Sequence, residues 1–135
     1  MAPKSFWIGG PVVVVAAALT PPLQADPVGK DLFDAHCADC HGLSATGDGP
    51  KAASIDGGVP NLTTLATRNG GTFPTIDVMS YIDGYTRENS YANMPAFGEQ
   101  LLDAPTVLYD AGDGIPTPTP EPLVQVAEYL ISIQN

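Results

Sequence analysis

The chain has 135 residues, room for about one domain, and carries fifteen acidic side chains against five basic ones, a formal charge of −10. That balance excludes nucleic acid and anionic membrane surfaces as partners, because both require clustered positive charge. Apolar residues at 44% exclude disorder, two cysteines are too few for a disulfide scaffold, and fourteen Gly with fourteen Pro predict long loops and short helices.

Residues 1–25 read as a secretory signal peptide. Lys4 is the only charge before Asp26, an apolar run extends from Phe6 to Leu19, and a Pro-containing polar stretch ends at Ala25. The run is interrupted by Pro11 and falls short of the roughly 20 residues that span a bilayer. Cleavage is expected after Ala25 in preference to Ala18, and retention as an anchor is the rival reading. The mature chain, residues 26–135, loses Lys4 and reaches −11. It is a single domain without internal repeats, expected outside the cytoplasm and not stably inserted in a membrane.

Asp26 and Pro27 predict a helix start, with the helix running to about Cys40 and Leu32, Phe33, His36, Cys37 and Cys40 along one face. Residues 42–60 form a glycine-rich loop. A short helix follows over 61–68, stopped by Asn69-Gly70-Gly71. Another spans about 75–83, with Ile76, Met79 and Ile82 inward, and ends at Gly84. Residues 85–119 read mainly as loop, with a small hairpin near 107–117. The last helix is expected to begin with Thr119 as cap and Pro120 behind it, burying Leu123, Val126, Ala127 and Leu130. Such a thin, loop-rich core calls for a staple, either a metal or a cofactor.

Cys37-Ala38-Asp39-Cys40-His41 supplies it: C-x-x-C-H is the signature of covalent c-type haem attachment. Two thiols three positions apart reach one edge of a porphyrin, and the adjoining imidazole meets the iron. The competing uses of these residues are weaker. A redox pair belongs near a βαβ pattern, which is absent. Zinc would need a fourth ligand, and His36 is badly placed to be one. A Cys37–Cys40 disulfide closes too small a loop to stabilise much.

With the pentapeptide stand Gly29 and Phe33 before it, Pro60-Asn61-Leu62 after it, Asn93-Met94-Pro95-Ala96-Phe97-Gly98, and Val126-Ala127-Glu128-Tyr129-Leu130. Together they make the mature chain resemble a class I, monohaem c-type cytochrome of the bacterial periplasmic kind. The resemblance implies an all-α fold with crossing N- and C-terminal helices, and short helices and long loops wrapped round one haem c held by Cys37 and Cys40. It implies His41 and Met94 as the iron's two axial ligands. Pro95 keeps Met94 out of helical backbone, whereas Met79 lies on an apolar helix face where methionine fills core. The Pro60 carbonyl is expected to accept the His41 Nδ1–H, Leu62 to touch the haem face, and Arg68 to bond a propionate, with Arg87 and Tyr91 as rivals for that role. Tyr85 and Phe97 are aromatic contacts either of the haem or of the general core.

The implied function is electron transfer between periplasmic redox proteins, the iron cycling between Fe(III) and Fe(II), and not enzymatic catalysis. The same residues would serve a haem c subunit of a larger dehydrogenase or oxidase. An open, five-coordinate haem enzyme or gas binder is the reading of another class, and it leaves Met94-Pro95 unexplained. An acidic carrier calls for partners with a basic or apolar docking face. Asp39, Asp48 and Asp56 either ring the haem edge or simply keep the protein soluble.

Overall fold

The computed structural model describes residues 27–85, 94–101 and 103–135. The signal segment, Arg87, Tyr91 and Asn93 lie outside them. Among the described residues five helices, α1 (Pro27–His36), α2 (Ala38–His41), α3 (Leu65–Arg68), α4 (Thr75–Asp83) and α5 (Glu121–Ser132), are accompanied by loops with short 3₁₀ turns. One antiparallel hairpin pairs β1 (Thr106–Tyr109) with β2 (Thr117–Pro120) in the register Thr106 to Pro120 and Tyr109 to Thr117.

The first and last helices cross, as expected, and Gly29 is why they cross so closely. A Cβ at this position would lie 2.2 Å from the Gln125 carbonyl oxygen and 3.0 Å from the Tyr129 Cβ. One turn on, Phe33 is fully buried, and its ring meets that of Tyr129 at 5.3 Å between centroids and 48° between planes. Such a tilted aromatic pair adds to the gain from area alone. Leu123, Val126, Ala127 and Leu130 complete the inner stripe of α5, and Met79 and Ile82 join them from α4.

Several expectations need correction. The first helix does not run unbroken to Cys40 but is interrupted at Cys37. Bonds from Cys37 N–H to Phe33 O (2.8 Å) and from His41 N–H to Cys37 O (2.9 Å) keep the two pieces joined, so the break re-aims residues 38–41 without ending the turn. The segment 61–68 opens as a 3₁₀ turn over Leu62–Thr64, capped by the Asn61 side chain, before α3 begins. Ile76 is not inward; it is 47% exposed. Thr119 and Pro120 belong to β2, and α5 starts at Glu121 with no side-chain cap on its first turn. The strand wins because its partner β1 is close by: Glu121 N–H donates to Pro105 O (2.8 Å), and the Tyr109 hydroxyl donates to Glu128 of α5.

Residues far apart in sequence close the structure. The Gln134 side chain donates to Leu62 O (2.9 Å) and Leu130 O (2.7 Å) and accepts from Ala66 N–H (2.9 Å). Asn135 adds a backbone bond to Thr63 O (2.9 Å) and a side-chain bond to the Thr63 hydroxyl (3.0 Å). The two carboxamides thus fasten the segment 62–67 to the end of α5. Gln134→Ala removes three bonds and strands the Leu62 carbonyl and Ala66 N–H. It is expected to cost about 2 kcal/mol, read as a lower midpoint in chemical denaturation at unchanged slope.

Candidate functional site

Beside the α1–α5 crossing lies a cavity of about 500 Å³, partly open to solvent, within the range of roughly 300–1,000 Å³ usual for small-molecule and cofactor sites. Its walls include Phe33 of α1, Val126 and Leu130 of α5, Val78, Tyr81 and Ile82 of α4, and the loop around Val59. The seven residues singled out in the sequence, Cys37, Cys40, His41, Pro60, Leu62, Arg68 and Met94, all line it.

His41 ends α2, and the following loop folds back to hold it. The carbonyls of Asp39, Cys40 and His41 accept from Lys51, Gly49 and Gly47 N–H at 2.8, 3.1 and 2.8 Å. Leu62 N–H donates to Ala45 O (2.8 Å), which brings the Pro60-Asn61-Leu62 strip against the same loop. Placed this way, His41 is only 7% exposed. Burial lowers its pKa, and the Pro60 carbonyl pulls in the other direction. The expected Pro60 contact is therefore near enough to act on the ring, yet Nδ1 is buried without a hydrogen bond of full geometry. The result is a neutral imidazole with lone-pair capacity, the form in which histidine binds a metal.

Cys37 and Cys40 are free thiols, both partly buried. Desolvation, and secondarily the neighbouring Cys40, push Cys37 up to about 11. Met94 reaches the cavity from the 94–98 loop, whereas Met79 is buried in the core and lines a separate groove under the hairpin. Arg68 lies at the cavity with its guanidinium donating to Asn61 O (2.6 Å). That anchors the side chain to the strip carrying Pro60 and Leu62.

Other candidates fall elsewhere. Tyr85 is 83% exposed at the hairpin groove, and Phe97 packs against the core and edge-on to His36, with centroids 6.0 Å apart; neither lines the cavity. His36 itself is exposed. Of the three acids considered for the rim only Asp56 lines the cavity, since Asp39 pairs with Lys51 at 2.8 Å and Asp48 accepts from Ser44. Asp77, Val78 and Tyr81 were missed, although Pro74, Val78, Tyr81 and Ile82 follow helical spacing. Of the expected inward stripe of α4, Met79 and Ile82 are buried and only Ile76 faces out.

The donor set fits an iron porphyrin: one buried imidazole lining the cavity with its Nδ1 towards the Pro60 carbonyl, two sulfurs three positions apart, a thioether, and apolar walls between them. Groups of His, Cys, Asp and Glu able to hold a bare metal ion are absent among the described residues, and no helix there is long and apolar enough to cross a membrane.

Comparison with known proteins agrees with this chemistry. Residues 28–106 match the cytochrome c family. Over 46 residues the chain is 44% identical to cytochrome c-554(547) of Halothiobacillus neapolitanus, a match covering 33% of this chain and 50% of that protein. The chain thus spans about half the length of the curated relative it matches. No solved structure matches significantly. A haem-attachment pentapeptide, a cavity that gathers the residues around it, and a family match over more than half of its length leave one assignment: the chain belongs to the cytochrome c family, whose members bind haem c covalently and transfer electrons.

Proposed function

We propose that the protein is a periplasmic carrier of single electrons between redox proteins, holding one haem c through Cys37 and Cys40, with His41 and Met94 as axial ligands. The observation that supports this best is the convergence of all four side chains on one apolar cavity. Bound there, the haem supplies a one-electron Fe(III)/Fe(II) couple.

The chain's own residues set its character. Burial keeps the His41 imidazole neutral and available to the iron. Met94 offers a soft, uncharged sulfur, which favours the ferrous state and raises the potential relative to an anionic ligand. Phe33, Ile82, Val126 and Leu130 exclude water and act in the same direction, because the oxidised iron carries the extra charge. With His41 and Met94 both holding the iron, substrate and O₂ would have no place to bind, and the protein would carry electrons without catalysis. Residues 1–25 direct export and are removed.

Partners are other redox proteins, steered by charge. Among the described residues the cations Lys30, Lys51 and Arg68 are engaged with Asp34, Asp39 and the Asn61 carbonyl, while Asp56 and Asp77 stand at the cavity. With two carboxylates there against the one guanidinium of Arg68, on a chain of net charge −10, the reading is a basic partner or one offering an apolar contact.

The test is the optical spectrum of the exported protein beside Met94→Ala. The native protein is expected to show low-spin c-type bands, a Met–Fe(III) charge-transfer band and no response to CO. Met94→Ala should keep its haem through denaturing electrophoresis, lose the charge-transfer band and bind CO. A variant that retains the native spectrum would remove Met94 from the ligand set.

A further inference from the structure

The end of α4 and the 96–98 segment interlock through two glycines that face each other's chain. Gly84 caps α4 at φ +102°, and a Cβ on it would lie 2.5 Å from the Ala96 Cβ. A Cβ on Gly98 would lie 2.5 Å from the Asp83 Oδ1 and 2.6 Å from the Asp83 carbonyl oxygen. Between them, Phe97 N–H donates to Ile82 O, in the last turn of α4, at 3.0 Å. On its other side the Phe97 ring meets His36, the residue before Cys37. Ile82 and Met94 both line the cavity.

From this we infer that Gly84, Ala96 and Gly98 are positioning residues for Met94: the α4 terminus is the platform on which the Met94 loop is seated. The inference rests on the reading of Met94 as an iron ligand. Two features give the platform its precision. The contact at Gly98 includes backbone, so it cannot be relieved by rotating a side chain. The hydrogen bond from Phe97 N–H to Ile82 O fixes the loop's height relative to a residue that itself walls the cavity. A Cβ at either glycine has to push the 96–98 segment off α4, and Met94 lies only two residues before Ala96.

The experiment titrates imidazole into the ferric holoprotein and records the concentration that removes half of the Met–Fe(III) band. Gly84→Ala and Gly98→Ala are expected to lower it about tenfold, the effect of a modest overpacking strain carried to the loop. Gly112→Ala is the control. Its φ of +104° imposes the same backbone strain as Gly84, but a Cβ there meets nothing within 4 Å, so the midpoint should stay at the native value. Ala96→Gly placed on Gly84→Ala removes the opposing methyl and should restore the midpoint.

Native midpoints in both Gly84→Ala and Gly98→Ala would overturn the positioning role, as would equal loss in Gly112→Ala. If Gly84→Ala yields no holoprotein, the Gly98→Ala midpoint and the yield of the Ala96→Gly double variant decide, and failure of both to behave as stated also overturns it. Retention of the band in Met94→Ala is a separate result, which would remove the ligand assignment itself.

Discussion

Cys37→Ser combined with Cys40→Ser is expected to leave a chain that does not fold. The cavity beside the α1–α5 crossing holds about 500 Å³ and is walled by residues that also make the core, Phe33, Ile82, Val126 and Leu130 among them. At about 24 cal/mol per Å³, an unfilled void of that size would cost on the order of 12 kcal/mol, an upper bound because the cavity is partly open. Domains of this size have about 5–15 kcal/mol in total. The covalent links keep the filler in place at any concentration, so removing both turns a structural element into a dissociable ligand. Circular dichroism of the double variant should show most of the helical signal lost, and denaturing electrophoresis should show no haem on the chain. A cooperative thermal transition at the native temperature would refute the claim.

The second large effect is expected at Gly29. Gly29→Val places its Cβ 2.2 Å from the Gln125 carbonyl oxygen and 2.9 Å from that carbonyl's carbon, and backbone of α5 cannot turn aside. The helices must separate, which uncovers the Phe33–Tyr129 pair. Overpacking of this kind costs at least about 3 kcal/mol, a fall in melting temperature of roughly 15 °C for a domain of this length. Gly29→Ala should fall between, because better helix propensity returns about 1 kcal/mol of the loss. Thermal unfolding followed at 222 nm measures both. Gly29 has no positive φ and lies in helical backbone, so the loss reads packing alone.

The elements that hold this crossing were legible in the sequence because their causes are local. Gly29, Phe33 and the stripe Leu123, Val126, Ala127 and Leu130 follow helical spacing, and Gly84 ends α4 by its φ of +102°. What escaped depended on contacts between distant residues. Thr119 and Pro120 look like a helix start in isolation and become strand only when 106–109 lies alongside. Ile76 fits an inward stripe as well as Tyr81 does, and only the position of the cavity decides which face of α4 is turned to it. At the candidate site, the seven residues that share the cavity were nameable from motif and resemblance. The hold of Gln134 on Leu62 and Ala66 carries no local signal, since a carboxamide near a helix end is common and its partners lie 68 and 72 residues away.

Those long sequence separations also impose an order of events. Contacts between remote parts of a chain form slowly, because loop closure must come before their gain. The α1–α5 crossing and the Gln134 latch are expected to follow the local helix turns that they join. Until they form, Cys37 and Cys40 sit on an open chain with the acidity of ordinary thiols, and thiolate, the reactive species, is accessible. Once they form, both sulfurs are partly buried. Covalent capture is therefore expected on the open chain, with the native topology closing behind it.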